Sequence, residues 1–169
     1  MLDFRDDRSY HSSMSHLISK QTKREQLLNE GVALLMSKGY HGTGLKEILQ
    51  AVKIPKGSFY NYFDSKEKFA AEIIAHYIDP YIARLESYLN NPQLDALSAL
   101  QCYLNELIAE LQQANFKGGC LLGNLMGEIG DTSDICRQSL KSAIKRYRNL
   151  YILALEKGQR EGSIRSDKS

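Results

Sequence analysis

Within the six residues Lys56-Gly-Ser-Phe-Tyr-Asn61 the chain offers an ammonium, two hydroxyls and an amide, with a glycine among them. Lys56, Ser58, Tyr60 and Asn61 are hydrogen-bond donors, and Gly57 lets a backbone approach closely. Donors of this kind at the N-terminal end of a helix suit docking in a DNA major groove, where the first residues reach base edges and the rest hold phosphates. Lys66 follows as a further phosphate clamp, and Lys46 lies on the element before. The same pattern also fits a solvated face on a small three-helix domain.

A second chemistry sits at Lys117-Gly-Gly-Cys120. A thiol at a helix N-terminus with a cation nearby holds more of the reactive thiolate, which makes Cys120 a candidate sensor of electrophiles or oxidants. An inert cysteine filling a small space is the alternative. Asn124 follows one turn later. Tyr77, Tyr81, Tyr103, Tyr147 and Tyr151, with Leu107, are candidates for the wall of a ligand cavity, each offering apolar surface and, in the tyrosines, a hydroxyl; core packing is the competing reading for each. Cys102, Cys120 and Cys136 are too widely spaced for a metal or redox pair, so neither a metal nor a disulfide is expected. The four histidines are dispersed and no phosphate-binding glycine loop follows a strand. No catalytic residues and no cofactor are therefore expected.

These residues need elements to position them. Leu45, Ile48, Leu49 and Val52 recur at helical spacing, Lys53 and Ile54 form a turn, and Pro55 begins a second helix to Phe63. Phe59 and Phe63, four apart with Tyr62 beside them, anchor that helix to a core. Upstream, Thr22-Lys-Arg-Glu25 reads as a capping box opening a first helix with Leu27, Leu28, Val32, Leu34 and Leu35 inward and Lys38-Gly39 as its stop. Residues 1–19 read as a flexible tail with Met14 as an alternative start, 20–66 as a helix-turn-helix head, and 67–169 as a helical regulatory body. A helix from Asp64 or Ser65 should kink or break near Asp79, because Pro80 removes a backbone bond. Asn90-Asn91-Pro92 ends it. The next helix, about 94–114, carries Leu94, Leu97, Leu100, Leu104, Leu107 and Leu111 as a mainly core stripe. Gly123, Gly127 and Gly130 should keep the short helix after Cys120 thin. Asp131-Thr-Ser133 caps a last helix with Leu140, Ala143, Ile144, Tyr147, Tyr151, Ala154 and Leu155 on one stripe, ending near Gly158. With no alternating stretch and no hairpin signal, the fold class is all-α.

Thr43-Gly-Leu-Lys-Glu-Ile48, then Ile54-Pro-Lys-Gly-Ser-Phe-Tyr-Asn-Tyr-Phe63, then Ser65-Lys-Glu-Lys-Phe69 resembles the DNA-binding domain of the TetR family of transcriptional regulators. The resemblance covers about residues 22–69. It implies DNA-facing roles for Thr43, Lys56, Ser58, Tyr60, Asn61 and Lys66, and a homodimer on a pseudo-palindromic operator in double-stranded DNA. The chain departs from the family pattern in two places. Lys53 stands at a turn position often held by glycine, costing about 1 kcal/mol if its φ is positive, and Asn61 stands where histidine is frequent. The Gly-Cys-Leu placement at Cys120 resembles a TetR subgroup in which the corresponding cysteine senses electrophiles. Two further helices that build the family's dimer interface are not found after residue 161.

Net charge is only +2, so nucleic-acid binding must come from a local patch. That patch lies at the head: Lys20, Lys23, Arg24, Lys38, Lys46, Lys53, Lys56 and Lys66 outnumber Glu25, Glu30, Glu47 and Asp64. No apolar run reaches the roughly 20 residues of a membrane span and no secretory signal is present. The expectation is a cytoplasmic transcriptional regulator, most plainly a repressor released by a small-molecule or electrophile effector. Two other readings stand beside it: a helical thiol enzyme using Cys120, and an interaction module whose basic head only keeps it soluble.

Overall fold

The computed structural model of the chain describes residues 7–167, with side chains from residue 22 onward. Six α-helices and one 3-10 helix follow in order: α1 (Asp7–Gly42), α2 (Leu45–Ala51), the 3-10 helix (Lys56–Asn61), α3 (Lys66–Leu89), α4 (Ala96–Gln113), α5 (Leu121–Ile129) and α6 (Asp134–Glu161). Among the described residues there is no strand, and no helix is long and apolar enough to cross a membrane.

The expected start at Thr22 is corrected. Helix α1 begins at Asp7, because neither glycine nor proline interrupts the chain until Gly31 and a capping sequence inside a continuous helix has no free N–H groups to cap. Of the expected tail, residues 1–6 lie outside the described residues. The expected stop holds: Gly39 leaves the helical region with φ 73° and ψ 179°.

Helix α3 starts as expected, with Ser65 accepting from the Lys68 N–H at 3.0 Å, and Asn90 caps its other end. Of the expected kink or break at Pro80, the break does not occur; the helix runs through it unbroken. Pro80 is exposed, so its ring meets solvent, while Ile73, Ile74, Ile78, Ile82 and Leu85 hold both halves of the helix to one buried face. That burial, at about 25 cal/mol per Å2, outweighs one missing backbone bond.

One core runs from Leu27 and Leu35 of α1 through Ile48, Leu49, Phe59 and Phe63 to Phe69 and Ile74 of α3, Leu121 and Leu125 of α5, and Leu140 of α6. It does not divide at residue 66, so head and body share packing. A smaller cluster gathers Leu85, Leu100, Tyr103 and Ala154. The leucine stripe of α4 is not mainly core. Leu100 is buried beside Ala96, Ala99 and Tyr103, whereas Leu97, Leu104, Ile108 and Leu111 are exposed. The small residues let α4 lie close on its neighbours, which turns the longer leucines outward. Similarly, Ile144 and Leu155 of α6 are exposed while Leu140, Ala143 and Ala154 are buried. That helix continues past Gly158 to Glu161, with Gly162, at φ 79°, as the real cap; Gly158 leaves room for Ile164, which folds back to within 2.5 Å of where a Cβ would stand there.

Candidate nucleic-acid interface and cavity

The turn between α2 and the 3-10 helix is a Schellman motif. The Lys53 N–H donates to Gln50 O at 3.1 Å and the Ile54 N–H to Leu49 O at 2.8 Å, and Lys53 takes φ 56°. Ile54 and Leu49 are both buried in the main core, which sets the angle at which the chain leaves α2. The φ at Lys53, on which the cost of replacing the family's glycine depended, is positive.

Pro55 does not open an α-helix. Its ψ of 142° is extended, and the element it caps is a 3-10 helix ending at Asn61. The Ser58 N–H reaches Pro55 O at 2.9 Å, the i to i+3 closure that suits so short a segment. Phe59 is fully buried and Phe63 nearly so. Both rings meet Phe69, at centroid distances of 5.5 and 4.5 Å, and the Arg24 guanidinium lies 5.0 Å over Phe63. With the aromatic side fixed, Lys56, Gly57, Tyr60 and Asn61 are exposed and Ser58 half-exposed; Lys46 is exposed on α2.

Two expected DNA-facing residues differ. Thr43 is 1% exposed and its hydroxyl donates to Gly39 O at 2.6 Å, so the side chain shapes the bend between α1 and α2 and is not free to reach a phosphate. Lys66 is half-buried: its Nζ donates to Tyr40 O at 3.3 Å and lies 4.4 Å over the Tyr40 ring. It retains two further N–H donors, so it can serve the bend and a phosphate together.

In the body, a cavity of about 560 Å3 is lined by Tyr77, Tyr81, Leu107, Cys120, Tyr147 and residues around them, including Met36, Glu110 and Lys117. Of the expected wall residues, Tyr77, Tyr81, Leu107, Cys120 and Tyr147 line it; Tyr103, Asn124 and Tyr151 do not. Tyr103 is fully buried and hydrogen-bonds the Tyr147 hydroxyl, which in turn meets the Tyr151 hydroxyl at 3.2 Å. Asn124 is exposed, not a buried amide, and its Nδ2 donates to Gly118 O at 3.0 Å. It steadies the turn before Cys120, where Gly118 and Gly119 take φ 90° and 66° and a Cβ on Gly118 would press on Met36 at 3.1 Å. Gly123 and Gly127 meet no close neighbour, so they do not thin a packed surface.

Cys120 is exposed and is the N-cap of α5. Cys136 is buried; burial pushes its thiol pKa up, against a lowering contact from Ser133. Burial likewise raises the tyrosine hydroxyls of the cavity, at Tyr77 with help from neighbouring Tyr81 and Cys120, and at Tyr147 with help from Tyr103. Among the described residues no group of three or more His, Cys, Asp or Glu could hold a metal.

Tyr81, expected as a wall residue, stands four after Tyr77 and lines the cavity beside it, their rings 5.1 Å apart. Sequence reasoning missed Glu128, the one charged residue of α5. The carboxylate accepts the N–H groups of Tyr40 and His41 at 2.7 and 3.2 Å.

Comparison with known proteins decides the family. Residues 27–73 match the model of the bacterial regulatory proteins of the tetR family, and residues 96–169 match a tetracyclin repressor-like C-terminal domain. The chain belongs to the TetR family. It is 31% identical over 144 residues to the HTH-type transcriptional repressor DhaR of Mycobacterium sp. (strain GP1), a match covering 85% of this chain and 71% of the relative. It is 32% identical over 136 residues to the repressor NemR of Escherichia coli K12, covering 80% and 68%. The crystal structure of reduced E. coli NemR superposes with a TM-score of 0.78 at 30% identity, covering 88% of this chain and 77% of that one. A regulatory protein TetR from Rhodobacter sphaeroides follows at TM-score 0.76 and 29% identity, covering 85% and 76%. The TetR family consists of DNA-binding regulators of transcription, which removes the thiol-enzyme reading and makes the helix-turn-helix a DNA-binding head.

Proposed function

We propose that this TetR-family regulator is a cytoplasmic repressor that binds a pseudo-palindromic operator as a homodimer and is released when its body cavity is occupied. The observation that carries the DNA-binding part is the donor set Lys56, Ser58, Tyr60 and Asn61, exposed on a 3-10 helix whose opposite side is locked by buried Phe59 and Phe63. Lys46 and Lys66 add phosphate contacts at the edges. For the homodimer, Leu97, Leu104, Ile108 and Leu111 supply one exposed apolar stripe on α4.

The effector is a small electrophile. Supporting this are an exposed thiol at a helix N-terminus that lines a cavity of about 560 Å3, with tyrosine hydroxyls and the Lys117 ammonium around it. The Cys120 sulfur, as thiolate, adds to an electron-poor carbon–carbon double bond; the carbon–sulfur bond forms, the π bond breaks, and the resulting carbanion takes a proton from water. The two relatives at 31 and 32% identity are both named repressors.

The test is selection of bound duplexes from a random DNA pool, then measurement of selected-duplex affinity for Lys56→Ala and Ser58→Ala. Specific duplexes should emerge, and the variants should lose about 1 to 3 kcal/mol at particular base pairs. A wild type that recovers no consensus would overturn the reading.

A further inference from the structure

Helix α5 joins the cavity to the head. At one end Cys120 caps it and faces the cavity; eight residues on, a span of about 12 Å at 1.5 Å per residue, Glu128 reaches the bend between α1 and α2. That bend has unusual backbone needs. Gly39 breaks α1 with φ 73°, which leaves the Tyr40 and His41 N–H groups at the start of a new turn without carbonyls behind them. The Glu128 carboxylate takes both, at 2.7 and 3.2 Å, and His41 Nε2 lies 3.3 Å from the Glu128 carbonyl. A Cβ at position 39 would stand 2.3 Å from a Glu128 oxygen, so glycine is required there for the clamp to close as well as for the φ.

The clamped bend carries the head. Thr43 bonds back to Gly39 O, Gly44 caps α2, and the Tyr40 carbonyl receives the Lys66 ammonium from the first residue of α3. The orientation of α2, and through the Schellman turn that of the 3-10 helix, is thus tied to α5. Leu121, Leu125 and Ile129 are fully buried, so α5 is packed along its length into the core that head and body share.

We propose that Glu128 is a positioning residue, a carboxylate clamp that holds the DNA-binding head in its operator-competent orientation and carries the state of the cavity to it. This rests on the proposed operator function. The experiment measures affinity for a selected operator duplex, per folded protein, in the wild type, Glu128→Ala and Glu128→Gln, with melting temperature alongside. Glu128→Ala should lose about tenfold, within the usual range of coupling between sites. Glu128→Gln should lose only a few-fold, since its amide oxygen still accepts but without charge. A purely structural role lowers the melting temperature and leaves affinity per folded protein unchanged; Glu128→Ala within twofold of wild type overturns the clamp.

A second arm forms an N-ethylmaleimide adduct at Cys120, verified by mass spectrometry. The wild type should lose operator affinity about tenfold on modification, and Glu128→Ala less than twofold further, because its link is already cut. A full wild-type-sized further loss in Glu128→Ala overturns the transmission role. A wild type indifferent to the adduct refutes the Cys120 reading instead, and the unmodified variants still decide the clamp.

Discussion

Lys53→Gly should stabilise the protein. Lys53 occupies the C′ position of the Schellman motif with φ 56°, where a residue with a Cβ costs about 1 to 2 kcal/mol relative to glycine. Its side chain is exposed, so no packing is lost on truncation. Glycine costs about 0.5 to 1 kcal/mol of extra chain entropy on folding, which at mid-range leaves a net gain of about 0.75 kcal/mol. At about 2 to 4 °C per kcal/mol for a chain of this size, the melting temperature should rise by about 1.5 to 3 °C. The assay is thermal and urea unfolding followed by far-ultraviolet circular dichroism, with Lys53→Ala as the control that keeps the strain and should show no gain. Because head and body share one core, the gain should appear in the single cooperative transition and not in a separate head transition. A destabilised Lys53→Gly, or an equal gain in Lys53→Ala, would refute the strain argument and place the effect in the side chain.

Pro80→Ala should restore the helix bond to the His76 carbonyl and raise stability, measured by urea midpoint, by up to about 3 kcal/mol; unchanged stability would mean the exposed ring costs α3 nothing. Lys66→Ala should reduce the salt slope of duplex binding by about 1 and also lower stability, since its ammonium holds the Tyr40 carbonyl; an unaltered slope removes it from the phosphate contacts. Stability should fall as pH rises above about 10, the free tyrosine value. The hydroxyls of half-buried Tyr77, Tyr147 and Tyr151 titrate higher in the folded chain, so their contribution is full below that pH and is lost as the pH climbs toward the folded values; tyrosinate absorbance tracking unfolding would check it. With limiting electrophile, mass spectrometry should find Cys120 labelled first and buried Cys136 last, and Cys120→Ser should keep operator binding at doses that release the wild type. Equal loss in both proteins would leave a reversible ligand in the cavity as the effector.

The sequence by itself determined what depends on neighbours in the chain. The helical periods, the Ser65 and Ser133 caps, the helix stop at Gly39, the turn at Lys53 and the split of the 3-10 segment into aromatic anchors and exposed donors follow from spacing and local backbone chemistry. The motif at 43–69 also carried the TetR family. What the sequence could not determine was which side of each helix is covered. The α4 leucines repeat at helical spacing whether they face a core or solvent, and only packing through Ala96, Ala99 and Tyr103 turned them outward. Thr43 reads as a free donor until the bend folds its hydroxyl onto Gly39 O, and Pro80 reads as a break until buried residues on both sides hold the helix together. Glu128 gives no local signal, because its partners lie 88 and 87 residues away along the chain. A period fixes a face, whereas the identity of what meets that face is a property of long-range contacts, and in this protein those contacts join the cavity to the head.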